Sequence, residues 1–214
     1  MVQDIAIGRF IVKHHGSGTS TLLSILKAGS FHAQFRMEFE DGGSAVIRFP
    51  KAGATMFPEE KIRNEVAVMK LVQEKSTEPI SFILHWGSRE ESPLQIGPFI
   101  IMEYVKHHTD MGGTGHSGPS LQDPPNLDPN IDPAKLKTLY QQMAYILLQL
   151  SRLQFPVIGA FEETDDCTWE VTQRPLSMFM SDFIRIESLP RAKLPESTFQ
   201  NSSNYFEKLC AVTS

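Results

Sequence analysis

The sequence has few cysteines, no excess of basic charge and no long apolar run. Two cysteines, Cys167 and Cys210, in 214 residues are too few for a disulfide framework and are expected to be reduced thiols. With a net charge of −5, the chain lacks the excess of positive charge that binds nucleic acid or an acidic membrane. No segment approaches membrane-spanning length, and the N-terminus lacks the apolar core of a signal peptide. We therefore expect a cytoplasmic protein, with neither nucleic acid nor membrane among its partners.

Two sequence features that could indicate a functional site, a glycine-rich run and a group of histidines, are also incomplete. The glycine-rich run from His15 to Thr21 lacks the lysine that, in a P-loop, precedes the hydroxyl residue and reaches the phosphates, so it predicts a flexible turn. His107, His108 and His116 lie in a segment rich in Gly, Pro and Asp, without cysteines or regular spacing. Such histidines are typically solvated, and no metal site is predicted.

A β-hairpin is predicted near residue 40. Phe35, Met37 and Phe39 alternate with charged residues, as in a half-buried strand. The turn Asp41-Gly42-Gly43 follows, where glycine tolerates the positive φ of a tight connection. The return strand places Ala45, Ile47 and Phe49 on one face and Val46 and Arg48 on the other.

A helix is predicted after Pro58, which suits a first-turn position. Its apolar stripe at 3.6-residue spacing contains Ile62, Val66, Met69 and Val72. Glu65 falls inside this stripe, where a carboxylate is costly unless a cation meets it. Arg48 on the preceding strand is the natural partner. Two interpretations are open: a structural ion pair, or the strand cation and helix glutamate that hold the phosphates of ATP.

The remaining elements follow from periodicity and composition. A short helix is predicted around Thr21–Leu26, and further strands at Ile80–His85 and Phe99–Tyr104. A long loop is expected from Lys106 to about Pro133, and then a strongly amphipathic helix. The buried stripe of that helix is predicted to be Leu136, Leu139, Met143, Ile146, Leu147, Leu150 and Leu153. Two shorter helices are predicted at Leu176–Ile186 and Ser202–Cys210.

The order of these segments resembles a known family. AGSFHAQFRMEF, VIRFPKAG, FPEEKIRNEVAVM, HWG, GPFIIMEYV, LDPNID and QLSRLQFPVIGAF together are similar to the fungal branch of the aminoglycoside phosphotransferase-like family, over roughly residues 25–210. The resemblance implies an α+β, protein-kinase-like fold. Residues 1–104 would form a nucleotide-binding lobe, a small antiparallel sheet with one helix. Residues 105–134 would form a hinge and flexible loop, and 135–214 an incomplete helical lobe.

The resemblance also implies roles for individual residues toward ATP. Gly29, Ser30 and Phe31 would begin the phosphate-covering loop, since glycine lets backbone amides approach an anion closely. Val46 would lie against the adenine ring. Arg48 would contact the α- and β-phosphates and Glu65 would orient it, with arginine in place of the lysine of the kinase pattern. Met102 would be the gatekeeper. The carbonyl of Glu103 would accept from the adenine amino group, and the amide of Val105 would donate to the ring.

The catalytic residues of such folds are not found in the sequence. Phosphoryl transfer needs an aspartate for the acceptor hydroxyl, an asparagine five residues on and a second aspartate for Mg²⁺. His108-Thr109-Asp110 is followed by Gly115 at the asparagine position, and Asp182-Phe183-Ile184 lies on a helical pattern without the glycine of D-F-G. No catalytic residue or metal ligand is therefore assigned, and both catalytic segments are expected beyond Ser214.

Two functions are consistent with this pattern. The first is the N-terminal part of an ATP-dependent phosphotransferase that acts, with Mg²⁺, on a small hydroxylated acceptor. The second is a non-catalytic protein, a degenerate kinase that binds an adenine nucleotide or an interaction partner.

Overall fold

The computed structural model describes residues 2–16, 20–25, 31–106, 131–186 and 190–213. The chain divides into two compact units, one of residues 1–104 with 155–214 and one of residues 105–154. The described helices and strands of the first unit are α1 (Val2–His15), β1 (Ser20–Ile25), β2 (His32–Phe39), β3 (Ser44–Pro50), α2 (Pro58–Lys75), β4 (Ile83–Gly87), β5 (Phe99–Glu103), β6 (Ala160–Glu163), β7 (Trp169–Gln173), α4 (Met178–Arg185) and α5 (Ser202–Thr213). The second unit contains α3 (Pro133–Ser151). The chain is thus an α+β protein, as predicted.

A five-stranded antiparallel sheet forms the centre of the first unit, in the order β1-β2-β3-β5-β4. The predicted β2–β3 hairpin is confirmed, with Phe35 opposite Ile47. Gly42 in its turn has a φ of 84°, a conformation that costs other residues steric strain. The strands predicted at Ile80–His85 and Phe99–Tyr104 are present as β4 and β5.

A helix covers each face of this sheet. Ile7 and Ile11 of α1 pack with alternate strand residues on one face; the buried cluster there is Met37, Phe39, Ala45, Ile47, Phe49, Phe99 and Ile101. Ile62 and Val66 of α2 pack with Ile100 on the other face. The predicted facing of β3 is confirmed, because Ala45, Ile47 and Phe49 lie in the first cluster and Arg48 points toward α2.

The apolar stripe of α2 is displaced slightly from the predicted one. Ile62 and Val66 are buried as expected, together with Ala67 and Leu71. Met69 and Val72 are only half-buried. Pro58 begins the helix and Glu59 and Glu60 lie in its first turn, where the helix dipole favours negative charge.

The prediction for the N-terminal residues is wrong. The described part of the segment predicted as a helix around Thr21–Leu26 belongs to the strand β1, Ser20–Ile25, and a helix of 14 residues, α1, precedes it. Periodicity alone does not separate a helix from a strand in so short an apolar run. In the structure, pairing with β2 decides the outcome for β1.

The C-terminal part of the first unit contains both helix and sheet. The helices predicted at Leu176–Ile186 and Ser202–Cys210 are present as α4 and α5. The antiparallel hairpin β6–β7 was not predicted. Met180, Ile184 and Leu194 form a buried cluster there, which Met56 and Phe57, just before α2, adjoin.

The predicted long amphipathic helix is present as α3, but its stripe is not buried. Met143, Ile146, Leu147 and Leu150 expose 42%, 38%, 63% and 37% of their surface. Leu136, Leu139 and Leu153 are half-buried. The pattern predicts which side chains share a face, but burial depends on a partner element, and no described residue of the second unit supplies one.

Candidate nucleotide surface and adjoining pocket

The ion pair predicted from the sequence is present at the start of the candidate site. Nη2 of Arg48 donates to Oε1 of Glu65. The side chains are 19% and 26% exposed, so both charges are largely withdrawn from water. Arg48 Nε and Glu65 Oε2 are buried and have no hydrogen-bond partner among the described residues. A largely buried ion pair in which some polar atoms lack hydrogen-bond partners is weak evidence that the pair only stabilises the fold.

The register of β3 and β5 places three of the predicted residues on one face of the sheet. Val46 is opposite Met102 and Arg48 is opposite Ile100, and directly opposite residues of an antiparallel pair share a face. Val46 is buried, and Met102 is half-buried and packs against the cluster of Ile62, Val66 and Ile100. Arg48 therefore extends from an apolar surface of the sheet, and its guanidinium is hydrogen-bonded to Glu65 of α2.

Three contacts from the C-terminal residues fix α2, the helix that carries Glu65. Arg174 donates from Nε and Nη2 to the two carboxylate oxygens of Glu60, at 2.9 and 2.6 Å, and these hydrogen bonds raise the pKa of Arg174. Lys70 pairs with Glu163 at 2.8 Å, and Trp169 Nε1 donates to Glu74 at 2.6 Å. A bidentate pair constrains geometry as well as distance. The hairpin and the residue after it thus contact α2 along its whole length.

The other predicted residues lie in several places. Gly29 and Ser30 are outside the described residues. Phe31 is 43% exposed, and its carbonyl accepts from the amide of Lys51 at 2.8 Å. Glu103 is exposed, with its amide donating to the carbonyl of Phe82 at 3.0 Å. Val105 belongs to the second unit and is 60% exposed. The proposed contacts of these residues with a nucleotide stay predictions.

A cavity of about 480 Å³ adjoins the ion pair. The sequence pattern did not predict this cavity. It lies between α2 and α4, and the start of β2 and the loop before α2 also line it. Its lining residues are Phe31, His32, Ala54, Thr55, Lys61, Asn64, Glu65, Val68, Met69, Leu176, Ser177, Ser181 and Asp182. The one sequence signal was the helical spacing of Lys61, Glu65 and Val68, which places them on one face of α2.

Lys61 and His32 form a polar contact in this cavity. Lys61 Nζ lies 3.0 Å from His32 Nε2, so the ammonium donates and the neutral imidazole accepts, with its proton on Nδ1. Burial, followed by the charges of Lys61 and Arg48, lowers the pKa of His32 to about 4. Burial is also the largest cause of the lowered pKa of Lys61, which the charge of Glu65 partly opposes.

The folded protein is expected to lose stability through His32 as pH falls from about 6.5 to about 4. In this window the unfolded chain binds a proton at His32 and the folded chain does not, so the free energy of unfolding rises with pH. Because the group is partly exposed, we expect a contribution of about 1 kcal/mol. Urea denaturation at a series of pH values should show a shallower pH dependence for His32→Gln than for the wild type. Parallel curves would contradict the lowered pKa.

The described residues form neither a metal-binding cluster nor a membrane-spanning helix. Within ranges 2–16, 20–25, 31–106, 131–186 and 190–213, no group of three or more His, Cys, Asp or Glu side chains is arranged to hold a metal. His107, His108 and His116 lie outside those ranges. Cys167 and Cys210 are exposed and are not joined in a disulfide. None of the described helices has the length and apolarity needed to cross a bilayer.

Comparison with known proteins gives partial similarities. No family model matches the chain. A curated relative, altered inheritance of mitochondria protein 9 of Yarrowia lipolytica, is 30% identical over 88 residues, which are 39% of this chain and 15% of that protein. The solved GDP and kanamycin complex of APH(2")-IIia is similar with a TM-score of 0.34 and 17% identity, over 46% of this chain and 29% of that one. The chain thus spans well under half the length of each.

Proposed function

We propose that the first unit is a nucleotide-binding module of a kinase-like phosphotransferase, in which Arg48 meets the phosphates of ATP. The observation that supports this most directly is the contact between Arg48 on the third strand and Glu65 on the helix that follows it. Kinases use the same arrangement, a strand cation oriented by a helix glutamate. Val46 and Met102, on the same face as Arg48, would receive the adenine ring.

The chemistry of this surface supports binding more than catalysis. Arginine keeps a charge at any physiological pH and offers a planar fork of donors to phosphate oxygens. The described residues offer no carboxylate cluster for Mg²⁺, so the metal of the phosphotransferase reaction would need ligands from elsewhere. The acceptor, a small hydroxylated molecule, and a cytoplasmic location are part of the proposal.

A non-catalytic nucleotide-binding protein is the second candidate. The position of Asp182 favours it, since this residue lies within helix α4 and pairs with Arg185 at 3.4 Å, not on a loop that presents a carboxylate to a metal. One measurement, the release of ADP in the presence of an acceptor, distinguishes the two candidate functions. Acceptor-dependent release of ADP that a point substitution in this chain abolishes would favour the phosphotransferase, and nucleotide binding without it would favour the second candidate.

ATP is expected to raise the melting temperature of the chain by a small amount. Binding to the folded state alone stabilises it by RT ln(1 + [L]/Kd), and weak binding is expected without a complete metal site. Arg48→Ala should reduce the shift, because it removes the phosphate-binding cation. Arg63→Ala is the matched control, as Arg63 is an exposed arginine on α2. An equal shift in the wild type and Arg48→Ala would contradict the proposal.

A further inference from the structure

The cavity between α2 and α4 has the size and lining of a small-molecule site. Its volume of about 480 Å³ lies in the range of roughly 300–1,000 Å³ that is typical of ligand pockets. The walls are mainly apolar and include Phe31, Val68, Met69 and Leu176. Such walls favour a ligand with an apolar body and few polar groups.

The charged side chains that line the cavity indicate which polar group a ligand would carry. Of the three charged lining residues, Glu65 is paired with Arg48 and Asp182 with Arg185. Lys61 has no carboxylate within ion-pair distance among the described residues. The one hydrogen-bonding contact of its ammonium there is the neutral His32, and Nζ lies 5.8 Å from the centre of the Phe31 ring. An ammonium carries three donors, and a partly buried cation is costly unless an opposite charge meets it.

We propose that this cavity binds a small apolar carboxylate, with the carboxylate on Lys61 Nζ and the apolar body against Phe31, Val68, Met69 and Leu176. A polycationic ligand is disfavoured, since it would meet an unpaired ammonium and apolar walls. A neutral ligand of the same shape would bury the same area but would offer Lys61 Nζ no direct ionic partner. The proposal goes beyond the nucleotide function and stands whether or not ATP binds.

Three probes with one apolar body test the charge preference on the full wild-type chain: 2-naphthaleneacetate, 2-(2-naphthyl)ethanol and 2-(2-naphthyl)ethylamine. Isothermal titration calorimetry at neutral pH should show the carboxylate binding about tenfold or more tighter than the alcohol, because a hydrogen bond between two charged groups is stronger than one to a neutral hydroxyl. The amine should bind most weakly. Equal affinities, or tightest binding by the amine, would overturn the proposal without any variant.

Substitutions then locate the site. Lys61→Met keeps the apolar stem, removes the charge and should abolish the preference for the carboxylate, while alcohol binding changes little. Lys75→Met on the same helix, an exposed lysine paired with Glu74, should leave the preference intact. Val68→Trp, at a position that is 42% exposed, should fill the cavity and weaken all three probes. A preference that survives Lys61→Met, or probe binding unaffected by Val68→Trp, would contradict the assignment.

Discussion

Glu65→Ala is expected to lower the free energy of unfolding by about 2–3 kcal/mol. The substitution leaves Arg48, whose side chain is 19% exposed, without its carboxylate, and breaking a buried pair costs about 3–5 kcal/mol. The partial exposure of both groups reduces that cost, since water and salt screen them. Urea denaturation monitored by circular dichroism measures the loss. A change below about 0.5 kcal/mol, typical of surface substitutions, would show that the pair contributes little.

The double substitution Arg48→Met with Glu65→Leu separates a structural pair from a nucleotide-binding one. Replacing a buried ion pair by apolar residues of similar volume is often neutral or stabilising, so the double variant should recover most of the stability lost in Glu65→Ala. Its melting-temperature shift with ATP should be reduced as in Arg48→Ala, because the cation that meets the phosphates is absent. A double variant that is stable and still shifts its melting temperature with ATP would identify the pair as structural alone. Arg63→Ala again serves as the control for loss of a positive charge.

Four of the five strands of the sheet, β2 to β5, and the ion pair could be predicted because each depends on local pattern. The alternation of Phe35, Met37 and Phe39 specifies the faces of β2, and the glycine turn brings β3 beside it. Glu65 within an apolar stripe requires a cation on the facing strand, and Arg48 is a charged residue in an apolar strand. In these segments propensity, pattern and tertiary contacts agree.

The missed features depend on contacts between distant segments. β6 has no apolar alternation, and that of β7 is limited to Trp169 and Val171. Contacts such as Lys70 with Glu163 and Trp169 with Glu74 join this hairpin to α2. The cavity beside Glu65 is likewise built from four separate parts of the chain. Sequence periodicity identifies which side chains share a face, but it does not identify the element that faces them.

The apolar side chains of α3 are exposed along the helix, and this exposure leads to a prediction. Met143 and Leu147, one turn apart, expose 42% and 63% of their surface, and Tyr145 and Leu148 expose 56% and 51%. Burying ~200 Å² of such surface between two copies would contribute about 5 kcal/mol before the entropic cost of association is subtracted, and exposed apolar patches promote association. We therefore expect the chain to bind ANS and to form larger species as its concentration rises.

Met143→Glu combined with Leu147→Lys is expected to abolish that association. The two substitutions interrupt the apolar surface and place an attractive Glu–Lys pair at i,i+4, so the helix itself is retained. Thr138→Glu with Gln142→Lys introduces the same pair at polar, exposed positions of α3 and should leave association unchanged. Sedimentation velocity over a range of concentrations, with ANS fluorescence on the same samples, measures both effects. If the wild-type chain sediments as a monomer throughout and does not bind ANS, the exposed stripe of α3 does not drive association.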